Sequence, residues 1–268
     1  MTTILPADAP DRARLVDQLW GEIRSRWGTY NLARVRDSLD IWSYRKTAKP
    51  YANQEAKGFY VPGLPDEPWL DPEILPFTQL VREAFPEMKR EAARFVDGRM
   101  SAPPFGLPDD APADAPPNPG FPAGWLEWRF AARGALIPDR CKDFPASAEV
   151  ARQILEKWTI KNITLLMLLP GARRDVHCDF NNSFVNLQMG LIVPEGCGLT
   201  VAGETRVHRP GHCFLFNHAY AHDAYNNSPH MRIVFSVSAL HPRLADHERE
   251  IARFLLPHIE RHIASVAI

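Results

Sequence analysis

Between residues 125 and 240 the chain is cut into short apolar runs by glycine and proline turns, a pattern that points to strands over most of it. Residues 125–133 are aromatic-rich, and 163–169 read as a buried strand ending at Pro170-Gly171. A further strand over 184–193 is closed by Pro194-Glu195-Gly196, while 198–202 and 206–209 flank a Gly203-Glu204 turn. Residues 213–217 follow the Pro210-Gly211 turn, and 232–240 close the series. Short strands at regular spacing with such turns predict a sandwich or barrel.

The flanks have a different period. Leu15, Leu19, Ile23 and Trp27 recur every fourth residue, so 11–27 is predicted as an amphipathic helix starting near Asp8 and Pro10. Leu80, Val81, Phe85 and Met88 mark a second helix over 76–95, which Pro86 should split. A helix is predicted over 147–158 with Ser147 as its N-cap. Residues 244–268 carry Ile251, Phe254, Leu255, Ile259 and Ile263 on one face, with a kink expected at Pro257. Phe59 to Leu64 is a short apolar stretch ending in a turn.

Residues 101–124 hold eight of the 25 prolines, with Asp109, Asp110 and Asp114 among them. No hydrophobic period survives there, so this stretch is either a surface linker or a flap over a pocket. A β core needs its helices as cover, so one domain is expected over 1–268. It has a helical flank (1–100), the Pro-rich loop (101–124), the β core (125–240) and a C-terminal helix (241–268).

With 45% hydrophobic residues, 24% charged and a formal net charge of −1, the chain has an ordinary core and no basic patch for nucleic acid. Cys141, Cys178, Cys197 and Cys213 have no framework spacing, so free thiols are expected. No targeting segment and no membrane span are visible, and a cytoplasmic location follows as the expectation.

The chemistry concentrates in four residues. His177-Cys178-Asp179 offers two metal donors close together, and His222 can add a third from a distant strand. Two histidines and one carboxylate on one face of an octahedron leave the opposite face open, which suits a non-haem Fe(II) oxygenase. Arg232 can clamp the far carboxylate of a keto-acid ligand. Against this stand ordinary buried histidines and a turn-capping aspartate. Asp223 is a candidate for orienting an imidazole, and His218 for lining the pocket. His208, His230, His241, His247, His258 and His262 are expected at the surface, as are most of Arg129, Arg133, Arg173, Arg174 and Arg206.

Several ordered stretches resemble the aspartyl/asparaginyl β-hydroxylase family. They are Leu169-Pro170-Gly171 ahead of His177, Met189-Gly190-Leu191-Ile192-Val193-Pro194, Glu195-Gly196-Cys197, Gly203-Glu204-Thr205-Arg206, Tyr220-Ala221-His222-Asp223-Ala224 and Arg232-Ile233-Val234-Phe235. The likeness is strong over 162–240 and weaker over 59–158. It implies a mainly β fold with flanking helices around a double-stranded β-helix, the jelly-roll or cupin-like core. It also implies an Fe(II)- and 2-oxoglutarate-dependent dioxygenase using O2, with a small-molecule or peptide substrate. His177 and His222 match the family's iron-binding histidines, and Arg232 matches the arginine on the 2-oxoglutarate tail. Trp125 falls near an aromatic lining the cosubstrate pocket. Gln188 stands where the family has a histidine assisting cosubstrate binding, and Leu166 where it has a serine.

Asp179 departs from the animal enzymes, which have glycine there and a two-histidine site; it restores the triad of the wider superfamily. Phe184 and Asn186 replace the substrate-side arginines. Hydroxylation of an amino-acid or peptidyl β-carbon is the leading expectation. A lipid acyl-chain hydroxylase, a non-catalytic 2-oxoglutarate or metal sensor, and a cupin-type isomerase are the rivals.

Overall fold

A strand that alternates its side chains between two environments leaves a readable signature, and the central region shows it throughout. In the computed structural model, which describes residues 6–55, 58–99, 101–108, 111 and 115–266, this region forms two antiparallel sheets. In chain order the strands are β1 (Trp69–Leu70), β2 (Trp125–Ala132), β3 (Ala135–Leu136), β4 (Ile160–Leu168), β5 (Arg173–His177) and β6 (Phe184–Ile192). They continue with β7 (Cys197–Val201), β8 (Glu204–Arg206), β9 (Cys213–Phe216), β10 (His222–Asn226) and β11 (Arg232–Leu240). The α-helices are α1 (Ala9–Trp27), α2 (Ala33–Trp42), α3 (Thr78–Glu83), α4 (Phe85–Arg94), α5 (Pro138–Cys141), α6 (Pro145–Lys157) and α7 (Asp246–Val266).

The larger sheet runs β1-β9-β6-β11-β4-β2-β3 and the smaller β5-β10-β7-β8. From β4 onward the chain switches between them: β4 large, β5 small, β6 large, β7 and β8 small, β9 large, β10 small, β11 large. That alternation is a double-stranded β-helix with flanking helices, the fold class expected from the sequence. The described residues group into two compact units, one comprising Glu67–Cys178 and Phe184–Leu240, the other the described parts of Met1–Asp66, Asp179–Ser183 and His241–Ile268.

In the larger unit, the outer face of the seven-stranded sheet carries the main core. Ile163, Leu165 and Met167 of β4, Val185, Leu187 and Met189 of β6, and Ile233, Phe235 and Val237 of β11 pack with Val81, Met88, Ala92, Val150 and Ile154 of the helices. The inner face is unlike it. Leu168 and Phe216 meet Leu199, Val201 and Ala224 of the smaller sheet, so the even-numbered positions of these strands face inward. By that parity the inner face also holds Thr164, Asn186, Gln188, Ser236, Ser238 and Arg232, all paired in register across β4, β6 and β11. The space between the two sheets thus combines an apolar cluster with a row of polar side chains.

Pro86 does split the second helix, into α3 and α4. Ser147 does not cap α6. The helix begins two residues earlier, and Glu91 of α4 reaches across to cap it, accepting from the Ser147 N–H at 3.0 Å and its hydroxyl at 2.7 Å. The strand expected over 206–209 instead lies at Glu204–Arg206. In the Pro-rich loop, the Phe105 N–H donates to the Trp125 carbonyl at 2.8 Å and the Glu127 N–H to the Pro103 carbonyl at 3.0 Å. Residues 103–105 therefore lie along β2 as an added edge. Asp109, Asp110 and Asp114 lie outside the described residues.

The smaller unit is built on α1, α2 and α7. Val16, Leu19 and Ile23 of α1, Leu39 and Trp42 of α2, and Ile251, Leu255 and Ile259 of α7 are buried. Helix α7 continues through Pro257, whose missing N–H and ring fall on an exposed position. Arg34 of α2 bridges both Glu248 carboxylate oxygens, one at 2.7 Å, and Glu248 also accepts from the Ala245 N–H at 2.8 Å. Segment Asp179–Ser183 is clamped within this unit. The Asn182 side-chain amide accepts from the Val61 N–H at 2.7 Å and donates to its carbonyl at 2.8 Å, and the Ser183 carbonyl accepts from the His241 N–H at 2.8 Å. A Cβ on Gly58 would stand 2.4 Å from the Phe180 carbonyl oxygen, so only glycine fits there.

Candidate active site

His177 closes β5 and His222 opens β10, and the two are cross-strand partners. Their ring centroids lie 4.1 Å apart. Two residues of β10 span three of β5 between the pairs His222–His177 and Ala224–Arg174, so a bulge bends β5 just before the histidine. The same local device fixes each ring. His177 Nδ1 lies 2.7 Å from the Asp175 carbonyl oxygen, and His222 Nδ1 lies 2.8 Å from the Tyr220 carbonyl oxygen. A carbonyl only accepts, so each Nδ1 carries the proton and each Nε2 keeps the lone pair that a metal needs. The backbone does for His222 what Asp223 was expected to do; Asp223 instead accepts from the Thr200 hydroxyl at 3.4 Å.

Asp179 follows His177 by two residues and heads the clamped segment. One donor atom from each of His177, Asp179 and His222 lies within 4.8 Å of the others.

Arg232, at the start of β11, is 3% exposed, and among the described residues no carboxylate forms an ion pair with it. Burial pulls its guanidinium down to about 10, and Cys197 opposes that only in part. Its Nε has no hydrogen-bond partner, and its Nη2 lies 3.3 Å from His208 Nδ1. A buried cation gains from an anionic partner, so an anion is the ligand that this position would favour. Other interior atoms lack partners too: Gln188 Oε1 on β6, Trp125 Nε1 on β2 and His208 Nε2. Trp125 is cross-strand from Leu168, which is itself opposite Arg232, so it lies two strands away on the same inner face. Of these atoms, Arg232 Nε, Trp125 Nε1 and His208 Nε2 can donate, whereas Gln188 Oε1 can only accept.

His208 and His241 are buried, at 3% and 0% exposure, and the surface expectation for both is corrected. The sequence places His208 in a strand over 206–209, but that strand ends at Arg206 and His208 lies in the connection that follows it. His218 is buried as expected of a pocket residue, 3.5 Å from the Asn186 amide. Phe184 and Asn186 lie on the inner-facing parity of β6, beside Leu240 and Ser238 of β11. Leu166 shares that face, opposite Val234. All four cysteines are free thiols. No helix among the described residues is long and apolar enough to cross a membrane.

A double-stranded β-helix with a His-Asp-His cluster and a buried orphan arginine defines a metal-and-anion site class. Comparison with known proteins narrows it: the family model for aspartyl/asparaginyl β-hydroxylase matches residues 82–242, and the chain belongs to that family. Aspartate β-hydroxylase domain-containing protein 1 of Homo sapiens is 28% identical over 205 residues, covering 73% of this chain and 50% of that protein. Aspartate β-hydroxylase domain-containing protein 2 of Mus musculus is 24% identical over 241 residues, covering 87% and 68%. Aspartyl/asparaginyl β-hydroxylase of Homo sapiens is 23% identical over 194 residues, covering 71% and 25%. The chain thus spans about half the length of the first of these relatives. Among solved structures, the collagen prolyl hydroxylase of Paramecium bursaria Chlorella virus-1, in complex with 2OG, aligns with a TM-score of 0.32 at 12% identity, over 44% of this chain and 81% of that one. A cupin domain from Bordetella pertussis Tohama I aligns with a TM-score of 0.26 at 15% identity, over 30% and 81%.

Proposed function

We propose that the chain is an Fe(II)- and 2-oxoglutarate-dependent dioxygenase that hydroxylates an unactivated carbon, the β-carbon of an amino acid or peptidyl residue. The buried, anion-less Arg232 inside the same β-helix as the histidine pair is the observation that carries this reading. His177, Asp179 and His222 would hold the metal, with the two imidazoles oriented by the Asp175 and Tyr220 carbonyls at Nδ1. Arg232 would hold the distal carboxylate of 2-oxoglutarate, with Gln188 and Trp125 lining the cosubstrate. Bound together, ferrous ion, 2-oxoglutarate and O2 supply an oxidant for C–H hydroxylation, with succinate and CO2 as coproducts. Leu168, Leu199 and Val201 close the interior around these groups and limit water.

Phe184 and Asn186, standing where the family's substrate-side arginines fall, favour a substrate side chain without a carboxylate. A neutral residue hydrogen-bonded to Asn186 fits that wall better than an aspartate does. A cytoplasmic location and a small-molecule or peptide partner belong to the same proposal.

The test is 2-oxoglutarate-dependent succinate release by the purified protein with Fe(II) and O2, across peptides with acidic and neutral side chains. Turnover is expected in the wild type and absent in His177→Ala and His222→Ala. Undiminished turnover in either variant refutes the ligand assignment. Tight 2-oxoglutarate binding with no succinate under any substrate would make the protein a sensor.

A further inference from the structure

His208 is a buried group that the reading above leaves unused. It comes from the turn between β8 and β9, and its ring lies against Phe214, with centroids 4.8 Å apart. Its Nδ1 is 3.3 Å from Arg232 Nη2. A guanidinium has only donors, so Nδ1 must be the acceptor and the imidazole must be neutral. Burial and the adjacent Arg232 charge both favour that state, holding the ring well below its usual range. The proton is then on Nε2. That N–H is buried, and it has no hydrogen-bond partner.

The imidazole therefore does two things at once. It occupies one donor of the Arg232 fork, which fixes how the guanidinium lies. It also leaves a second donor, Nε2–H, buried on the same ring. Arg232 Nε is the other donor there without a partner. Two orphan N–H groups, one charged and one neutral, on side chains that touch each other, call for a ligand with two acceptor atoms and no donor. A carboxylate is that ligand.

We propose that His208 is a second cosubstrate-binding residue, donating Nε2–H to the distal carboxylate of a 2-oxo dicarboxylic acid while Arg232 holds the same group. This rests on the 2-oxoglutarate reading of the site and adds to it a residue that the family resemblance did not carry over. The pair reads the far end of the acid, so it sets selectivity for a dicarboxylate over a monocarboxylate keto acid. Phe214 serves as the wall that keeps the ring in place.

The test is calorimetric binding to the full chain loaded with Zn(II) in place of Fe(II), which permits no turnover. Two probes are compared: 2-oxoglutarate, and 2-oxobutyrate, which keeps the keto-acid head and lacks the distal carboxylate. His208→Phe should weaken 2-oxoglutarate by about 10- to 100-fold, the worth of one hydrogen bond to a charged acceptor, and leave 2-oxobutyrate unchanged. His208→Gln keeps an acceptor and a donor and should recover most of the loss. It also guards against a Phe variant that fails to fold. In the wild type, the His208 Nε2–H proton resonance should move downfield with 2-oxoglutarate and stay put with 2-oxobutyrate. Equal 2-oxoglutarate affinity in wild type and His208→Phe, or an unmoved resonance, overturns the role of His208 while leaving the site's function standing. A wild type that binds neither acid overturns both.

Discussion

At the scale of single residues, the site is a set of local solutions to polar burial. Each candidate ligand histidine has its tautomer fixed by the carbonyl two residues before it, at 2.7 and 2.8 Å. Asp179 is the donor in the cluster that is not a histidine. Asp179→Gly is expected to weaken Co(II) binding, followed by its absorption spectrum, by at least about tenfold, because it removes the only anionic donor of the three. Unchanged affinity would mean a two-histidine site. Arg232 tests the cost of the anion pocket from the other side. In the ligand-free protein Arg232→Met should raise the unfolding free energy by about 1 kcal/mol, since it removes an unpaired buried charge. The same variant should lose 2-oxoglutarate binding. A loss of stability in denaturant titrations would instead give the guanidinium a structural role. Motif order singles out His177, Asp179, His222 and Arg232 in the sequence, and the structure brings donor atoms of the first three near one another and buries the fourth. His208 is not singled out: the strand expected over 206–209 ends at Arg206, so alternation does not reach it.

At the scale of elements, contacts between segments far apart in sequence decide what local propensity leaves open. The predicted strands at 163–169, 184–193, 213–217 and 232–240 follow apolar alternation and were found within a few residues. Strand β5 escaped because Arg173, Arg174 and Asp175 interrupt its apolar pattern and Val176 is 68% exposed. Helix α6 shows the same limit: the sequence suggests Ser147 as its cap, but the cap is Glu91 on another helix. Glu91→Ala strips a buried acceptor from two N–H groups and a hydroxyl, and should cost about 2–3 kcal/mol in chemical denaturation. Ser147→Ala should cost less than half of that; the reverse order would restore the local cap.

A second anchor ties α2 to α7. Burial raises the Glu248 carboxyl, but the Arg34 guanidinium and the Ala245 N–H outweigh it and leave the group lowered from 4.5. A lowered folded-state value means that its contribution is complete above the unfolded value and fades as pH falls through the folded one. Glu248→Gln should therefore destabilise the protein at pH 7 and flatten the acid limb of its stability profile below about pH 4.5. A variant whose acid limb matches the wild type would remove Glu248 from that account.

At the scale of the whole molecule, the β-helix explains why a chain with modest overall likeness to its relatives keeps a recognisable site. Alternation of β4 to β11 between two sheets brings the start of β11 and the junctions at His177 and His222 to one interior, although 55 positions separate His177 from Arg232. We read 1–268 as one folding domain, because the smaller unit takes its segments from three separate places in the chain. Calorimetry should then show one unfolding transition, shifted upward together by Zn(II) and 2-oxoglutarate; two independent transitions would divide it. The most direct check of the central claim is a crystal structure grown without oxygen, with a redox-inert divalent metal and 2-oxoglutarate. The metal is predicted on His177, His222 and Asp179, and the far carboxylate against Arg232 and His208. Metal bound elsewhere, or an Arg232 paired with a protein carboxylate and no acid beside it, would contradict the account.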